Sequence, residues 1–387
     1  MTLDSRTEQF LLGREIRAEL TPEVRDAFAG RRVLITGAGG SVGSELARRL
    51  IDCAPAEIVL LDHAEYLLFR ISQELRALTS VPIKAVLADV SRREDMTTVF
   101  GANRPDFAFH AAACKHVTIA EECIVAAART NVLGALHAAR AAAEVSARFI
   151  LISTDKAAEP HSVMGATKRL AELCVLDERT GAGAIAVRFG NVLGSSGSVV
   201  EILMDAARNG RPLTVTDPGA TRFFMTASEA TSLVLKAAVA GTAGDVFWLD
   251  MGSPLRLSDL VERILDVATP AGAERAAIVV TGLRPGEKRN EELTTIDLTM
   301  EATQDPGVWR ARQPAAETTL VSSIEALGRA CEAADAAQVL RVVETAVPDY
   351  RPSAAARQAA RQTSRAGRLL SAAARAARDF APGLRLA

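Results

Sequence analysis

Thr154, Asp155 and Lys156 stand one residue, Ser153, past the apolar run Arg148-Phe149-Ile150-Leu151-Ile152, and Met164 and Lys168 stand four residues apart shortly after them. The run reads as a buried strand and the later residues as a helix. A hydroxyl, an acid and two amines therefore gather where a parallel strand ends. A carboxyl beside an amine can work as acid and base. Asp155 can donate a proton to a leaving hydroxyl, and Lys156 can remove a carbon-bound proton if desolvation and a neighbouring positive charge lower its pKa. Those are opposite tasks for adjacent residues. A structural network is the competing reading, because polar groups leaving a buried strand must be satisfied by a ligand, by water or by one another. Met164 can neither ionise nor donate a proton, and it reads as packing beside the site.

Small residues mark a second site. Thr36-Gly37-Ala38-Gly39-Gly40-Ser41-Val42-Gly43 stands between the run Val33-Leu34-Ile35 and a helix. Gly37 permits a tight turn, Gly40 lets the backbone approach a pyrophosphate, Gly43 packs helix on strand, and Ser41 and Val42 open the helix whose amides face the anion. The GxxGxxG spacing is that of short-chain dehydrogenases and reductases. Asp62, closing the second strand, can bond the adenosine ribose and repel a 2′-phosphate, so NAD is expected rather than NADP. Asp89 and Val90 are placed to meet the adenine, and Ala111 and Ala112 allow close approach of the cofactor, although packing would account for either pair. Lys168 would reach the nicotinamide ribose. Enzymes with this turn usually carry Tyr and Lys four apart, yet neither Tyr66 nor Tyr350 is followed by such a lysine.

His110, Lys115 and His116 cluster after the fourth strand. There is no HExxH or regular His/Asp set, and metal catalysis is rejected. Arg188, Arg222, Arg284 and Lys288 stand in glycine- and proline-rich surroundings and suit a diphosphate.

The elements that position these residues alternate regularly. Strands are expected at Val33–Ile35, Ile58–Leu61, Ile83–Leu87, Phe107–Phe109, Phe149–Ile152 and Ala184–Phe189, with helices between them, including a long alanine-rich one near 119–143. The fold class is α/β, a doubly wound parallel Rossmann sheet with a smaller mixed α/β substrate-binding lobe. The expected division is an N-terminal arm over 1–30, a dinucleotide-binding domain over 31–190, a substrate lobe over 191–350 and a basic Ala/Arg-rich tail over 351–387. That tail carries eight arginines against the single acid Asp379, and it reads as a basic helix face or as a solvated tail. The role of the arm is open, and no internal repeat is found. A net charge of −2 over 387 residues gives no reason to expect nucleic acid or an anionic membrane as partner. Five scattered cysteines suit reduced thiols, and no apolar run reaches a membrane span, so a cytoplasmic protein without an integral membrane segment is expected.

With these residues assembled, the chain resembles the UDP-N-acetylglucosamine 4,6-dehydratases, extended short-chain dehydrogenases of polysaccharide biosynthesis. The runs that carry the resemblance are TGAGGSVGSEL, LLDHAEY, HAAACKHV, LISTDKA, VMGATKRLAE, VRFGNVLGSSGSV, RFFMT and TGLRPGEK. STDK followed by MxxxK is similar to the subgroup in which methionine replaces tyrosine. The resemblance implies that NAD oxidises C4 of the hexose, Lys156 takes the C5 proton, Asp155 assists loss of the C6 hydroxyl and hydride returns to C6. It further implies that Thr154 holds the 4-hydroxyl, and that Lys115, His116, Asn191, Ser196, Ser198, Arg222, Arg284 and Glu287 contact a UDP-sugar. A homo-oligomer is implied too. Longer members carry membrane helices ahead of a segment like Leu11–Arg14, and this chain resembles their catalytic part. Cys114, Thr118, Cys123-Ile124 and His161 depart from the usual pattern around the sugar pocket. The alternatives are a nucleotide-sugar epimerase, which would share the C4 oxidation, and an NAD-bound sensor without turnover.

Overall fold

Val33, Leu34 and Ile35 are all apolar because helices cover both faces of the strand they form. Val33 and Ile35 enter one core and Leu34 enters another across the sheet. The computed structural model describes residues 3–177, 183–291, 299–312 and 320–363. Its strands are β1 (Arg32–Thr36), β2 (Glu57–Asp62), β3 (Ile83–Leu87), β4 (Phe107–His110), β5 (Arg148–Ile152), β6 (Ile185–Arg188), β7 (Asn191–Val192), β8 (Leu213–Val215), β9 (Thr221–Arg222), β10 (Phe224–Met225), β11 (Asp245–Leu249), β12 (Leu255–Arg256), β13 (Ile278–Val280), β14 (Glu301–Ala302) and β15 (Val308–Arg312). The helices are α1 (Ser5–Leu12), α2 (Pro22–Phe28), α3 (Ser41–Ile51), α4 (Glu65–Leu78), α5 (Arg93–Asn103), α6 (Val117–Glu122), α7 (Ile124–Ala128), α8 (Ala135–Glu144), α9 (Val163–Leu176), α10 (Val199–Arg208), α11 (Ala227–Ala240), α12 (Leu257–Ala268), α13 (Leu320–Glu332) and α14 (Ala336–Ala346).

The nine-stranded sheet runs β14-β15-β11-β6-β5-β4-β1-β2-β3. From β3 to β11 every pairing is parallel, and β15 joins β11 antiparallel. This is the doubly wound α/β order: the strands run the same way, and their order along the sheet reverses between β1 and β4. Residues of α2, α3, α4 and α11 fill the core on one face, and residues of α5, α8 and α9 the other.

Two expectations need correction. The boundary at residue 190 does not follow the sheet: β11 and β15 come from the expected substrate lobe, yet they extend the parallel sheet by pairing with β6 and with each other. Apolar runs give the strand but not its neighbour, and β11 finds its partner some sixty residues back. The alanine-rich helix is broken into α6, α7, a π-helical turn over Arg129–Gly134, and α8. A side chain at Gly134 would come within 2.8 Å of Val90, and the widened turn brings buried Asn131 to bond Cys114 and Thr167, tying the loop after β4 to α9. The arm is built of the two short helices α1 and α2.

The arm also has a task. Arg14 pairs with nearly buried Glu229 at the start of α11, Arg263 of α12 donates to the Leu11 carbonyl, and Ser232 donates to that of Ala18. It thereby staples α12 and α11 together. Among the described residues no helix is long and apolar enough to cross a membrane. Residues 364–387, most of the expected basic tail, lie outside the described residues.

Candidate active site

β5 ends at Ile152, and the chain enters a short 3-10 turn, Asp155–Ala157, before α9 begins behind the Ser162 cap. Ser153 N donates to the Val187 carbonyl at 2.7 Å and Asp155 N to that of Phe189 at 3.1 Å, which pins the turn to the end of β6. A side chain at Gly165 would lie 2.4 Å from the Lys156 carbonyl, so α9 rests directly on the turn. Glycine allows that contact.

The side chain of Asp155 is fully buried. Its Oδ1 accepts from the Thr154 hydroxyl at 2.9 Å, from the Lys156 amide at 2.8 Å and from Lys156 Nζ at 3.1 Å. Its Oδ2 is buried with no hydrogen-bond partner among the described residues. That oxygen faces Gly190, where a Cβ would stand 3.0 Å from it and 2.9 Å from Met251 Sδ. A buried carboxylate oxygen without a donor is costly, and here it marks a place for a hydroxyl or a proton.

Lys156 Nζ also lies 3.3 Å from Glu291 Oε1, and Arg222 Nε lies 3.6 Å from that same oxygen. Burial disfavours the ammonium, but Asp155 and Glu291 outweigh burial and Arg222 together, and the lysine stands above its ordinary pKa. This corrects the expectation of a lowered value: the positive neighbour is present, but two carboxylates outweigh it. Lys168 is buried and donates to the Ile152 carbonyl at 2.6 Å; desolvation, partly offset by Glu172, brings it down to about 8. His110 bonds the Thr36 hydroxyl through Nδ1, and burial with the nearby Lys168 charge brings it down to about 3, so it is neutral. Met164 is buried in the apolar cluster behind α9.

The glycine turn has the shape a dinucleotide needs. Gly37 is left-handed, with φ 64°, and a side chain there would meet Ala112 N at 2.6 Å, while one at Gly43 would meet the Gly37 carbonyl at 2.2 Å. Gly40 caps α3 without a side-chain bond, leaving amides of the first turn open, Ser41 begins the helix, and Val42 packs against the core. Gly39 is needed as well, since its Cβ would lie 2.5 Å from that of Leu67. Asp62, at the end of β2, accepts from Gly39 N and Ala64 N, each at 2.9 Å. Asp89 accepts from Ser91 N, Val90 packs under Gly134, and Ala111 N is held by the Thr36 carbonyl. These residues fit a dinucleotide.

The loop after β6 closes on this turn: Ser196 N donates to Ser41 Oγ at 3.0 Å. His116 lies under left-handed Gly197, and Lys115 is drawn below its ordinary pKa by burial, with Glu201 partly opposing. Ser198 caps α10 and Asn191 donates to the Phe223 carbonyl. Arg222 pairs with Glu287 at 2.8 Å, Glu287 also accepts from Thr216, and Arg284 is exposed. One assignment changes. Arg188, read as a diphosphate ligand, is wholly buried in β6, bonds Glu172 through Nε at 2.7 Å and Nη2 at 2.5 Å, and stacks on Trp248. It is a structural ion pair. Glu291 was not singled out by any motif.

Residues 33–313 match the family described as polysaccharide biosynthesis protein. The chain belongs to that family. It is 41% identical over 290 residues to the probable polysaccharide biosynthesis protein EpsC of Bacillus subtilis and 40% identical to the capsular polysaccharide biosynthesis protein CapD of Staphylococcus aureus, in each case over 73% of this chain and 48% of the relative. The chain thus spans about half the length of these relatives. It is 31% identical to the UDP-glucose 4-epimerase of Rickettsia canadensis, over 69% of this chain and 79% of that protein. Among solved structures, Pen from Bacillus thuringiensis superposes with a TM-score of 0.68 at 29% identity, covering 74% of this chain and 89% of its own. DesIV of Streptomyces venezuelae, a dTDP-glucose 4,6-dehydratase solved with NAD, gives 0.60 at 21% identity over 68% and 88% of the two chains, a likeness of fold.

Proposed function

We propose that the chain is an NAD-dependent nucleotide-sugar 4,6-dehydratase acting on UDP-N-acetylglucosamine or a related UDP-hexosamine. The observation that carries this reading is the Asp155–Lys156 contact of 3.1 Å at the end of β5, with a methionine where an ionisable group would be usual. When bound in the glycine turn, NAD supplies the hydride acceptor at C4 and returns the hydride at C6. Lys168 would hold the nicotinamide ribose, and Thr154 would hold the 4-hydroxyl.

The resting pair holds one proton on Lys156 and a negative charge on Asp155. Transfer of that proton across the contact gives a neutral amine and a carboxylic acid, a base and an acid, without exchange with solvent. Lys156 then takes the C5 proton, acidic beside the C4 ketone. The C5–C6 double bond forms as the C6–O bond breaks, and Asp155 gives its proton to the leaving hydroxyl, which departs as water. Hydride addition at C6 leaves an enolate, which Lys156 protonates at C5, and the proton released by the 4-hydroxyl on oxidation restores the lysine, so the pair ends as ammonium and carboxylate, as it began. Arg222 and Arg284 serve the diphosphate, and Asn191, Ser196, Ser198, Lys115 and His116 line the sugar side.

A UDP-sugar 4-epimerase is the second reading, favoured by the 31% identity to proteins of that name. The two differ in mass: dehydration removes one water and epimerisation removes nothing. Incubation with UDP-N-acetylglucosamine in deuterated water, read by NMR and mass spectrometry, should give a 4-keto-6-deoxy product carrying deuterium at C5. An isomer of unchanged mass would favour the epimerase.

A further inference from the structure

Glu291 lies beyond the RPGEK motif, yet it reaches the centre of the site. Its side chain is 5% exposed and its Oε1 lies 3.3 Å from Lys156 Nζ, so the ammonium stands between this oxygen and Asp155 Oδ1. On its other side Glu291 is held by Arg222 Nε at 3.6 Å. Arg222 in turn is fixed by Glu287 at 2.8 Å and by the carbonyls of Lys288 at 2.7 Å and Arg289 at 2.8 Å. The acid is therefore built in, and it connects the loop that carries Arg284 and Glu287 to the lysine of the catalytic pair.

The charges facing Lys156 are Asp155 from its own turn, Glu291 from this loop and Arg222 from β9, with Glu287 behind Arg222. Asp155 alone would share one proton with the lysine in a neutral pair. Glu291 adds a second negative charge that favours the ammonium, and Arg222 returns part of that effect. We propose that Glu291 is a positioning residue that holds the Lys156 amine against Asp155 and tunes the proton transfer between them. The inference deepens the dehydratase reading and rests on Lys156 being its base.

The test reads Lys156 without requiring turnover. The whole protein is labelled briefly with acetic anhydride across a pH series, and peptide mass spectrometry gives the midpoint at which Lys156 becomes reactive. Glu291→Gln removes a negative charge, so the midpoint should fall by about 1–3 pH units, while Glu291→Asp, which keeps the charge, should restore at least part of the shift. Arg222→Gln removes a positive charge and should move the midpoint upward, giving an independent arm if the glutamine variant fails to fold. A folded Glu291→Gln protein with an unchanged or raised midpoint, or an Arg222→Gln protein whose midpoint falls, overturns the proposal. The alkaline limb of turnover, where the pair loses its one shared proton, should follow the labelling midpoint. If the labelling shifts as expected but no nucleotide sugar is dehydrated, the charge array stands and the reaction assignment fails. If dehydration occurs while labelling does not move, the inference about Glu291 fails alone.

Discussion

Asparagine at position 155 should keep the shape of the site and remove its acid. The amide carbonyl can occupy the place of Oδ1, preserving the bonds from the Thr154 hydroxyl and the Lys156 amide. The amide nitrogen then falls where Oδ2 lies buried and unpaired opposite Gly190, so no existing bond is displaced. Two functions disappear. The leaving hydroxyl loses its proton donor, and Lys156 loses the group that accepts its own proton, leaving it as an ammonium against Glu291 at 3.3 Å. Loss of one positioned acid or base costs about 10²–10⁴-fold, or about 3–5 kcal/mol of transition-state stabilisation. With both roles affected, Asp155→Asn should fall at the upper end. Oxidation at C4 does not use this carboxyl. A stopped-flow experiment should therefore show reduced nicotinamide accumulating while mass spectrometry detects no loss of water. Elimination within about tenfold of the wild-type rate would refute the assignment of Asp155, given the usual size of such effects.

Three further outcomes follow from the geometry. Glu172→Gln leaves Arg188 uncompensated inside the protein, where both side chains are 0% exposed, and should cost about 3–5 kcal/mol, read as a lower urea midpoint. Burial opposes the Glu172 charge, but Arg188 holds it at about 2, below its ordinary 4.5; its contribution is full above 4.5 and lost as pH falls towards 2, an acid limb that the glutamine variant should lack. Met164→Ala should lower stability by about 2–5 kcal/mol as a core truncation, while turnover of the folded variant falls far less than in Lys156→Ala; equal losses would give Met164 a chemical role. Gly43→Ala places a carbon 2.2 Å from the Gly37 carbonyl, so α3 must shift, and calorimetry should show weakened NAD binding; unchanged affinity would remove the glycine turn from the cofactor site.

The parallel sheet was legible because its strands, buried on both faces, read as uninterrupted apolar runs such as Val33–Ile35 and Phe149–Ile152. Long-range pairing was not: Val246–Leu249 reads as a strand wherever it lies, and only its ladder with β6 places it in the main sheet. β15 was missed because Val308-Trp309-Arg310-Ala311-Arg312 mixes charge with apolar residues on a strand close to the sheet edge. At the candidate site, the gathering of Asp155, Lys156 and Lys168 was legible from their place after a strand. The role of Arg188 was misread because residue type does not reveal that its partner, Glu172, lies one turn beyond Lys168 on α9. No spacing signals the pair, because Arg188 lies on β6 and Glu172 on α9. Glu291 had slight notice, an acid four residues after Glu287, and only the fold carries it to Lys156.

The central claim is that Lys156 and Asp155 remove a proton from C5 and water from C5–C6 in one cycle. Its most direct test is the purified protein with UDP-N-acetylglucosamine in deuterated water, followed by NMR at C5 and C6 together with product mass. The account predicts a 4-keto-6-deoxy sugar one water lighter apart from isotope, with deuterium at C5 and none of it formed by Lys156→Ala. A product of unchanged mass, or a dehydrated product without deuterium at C5, would contradict it.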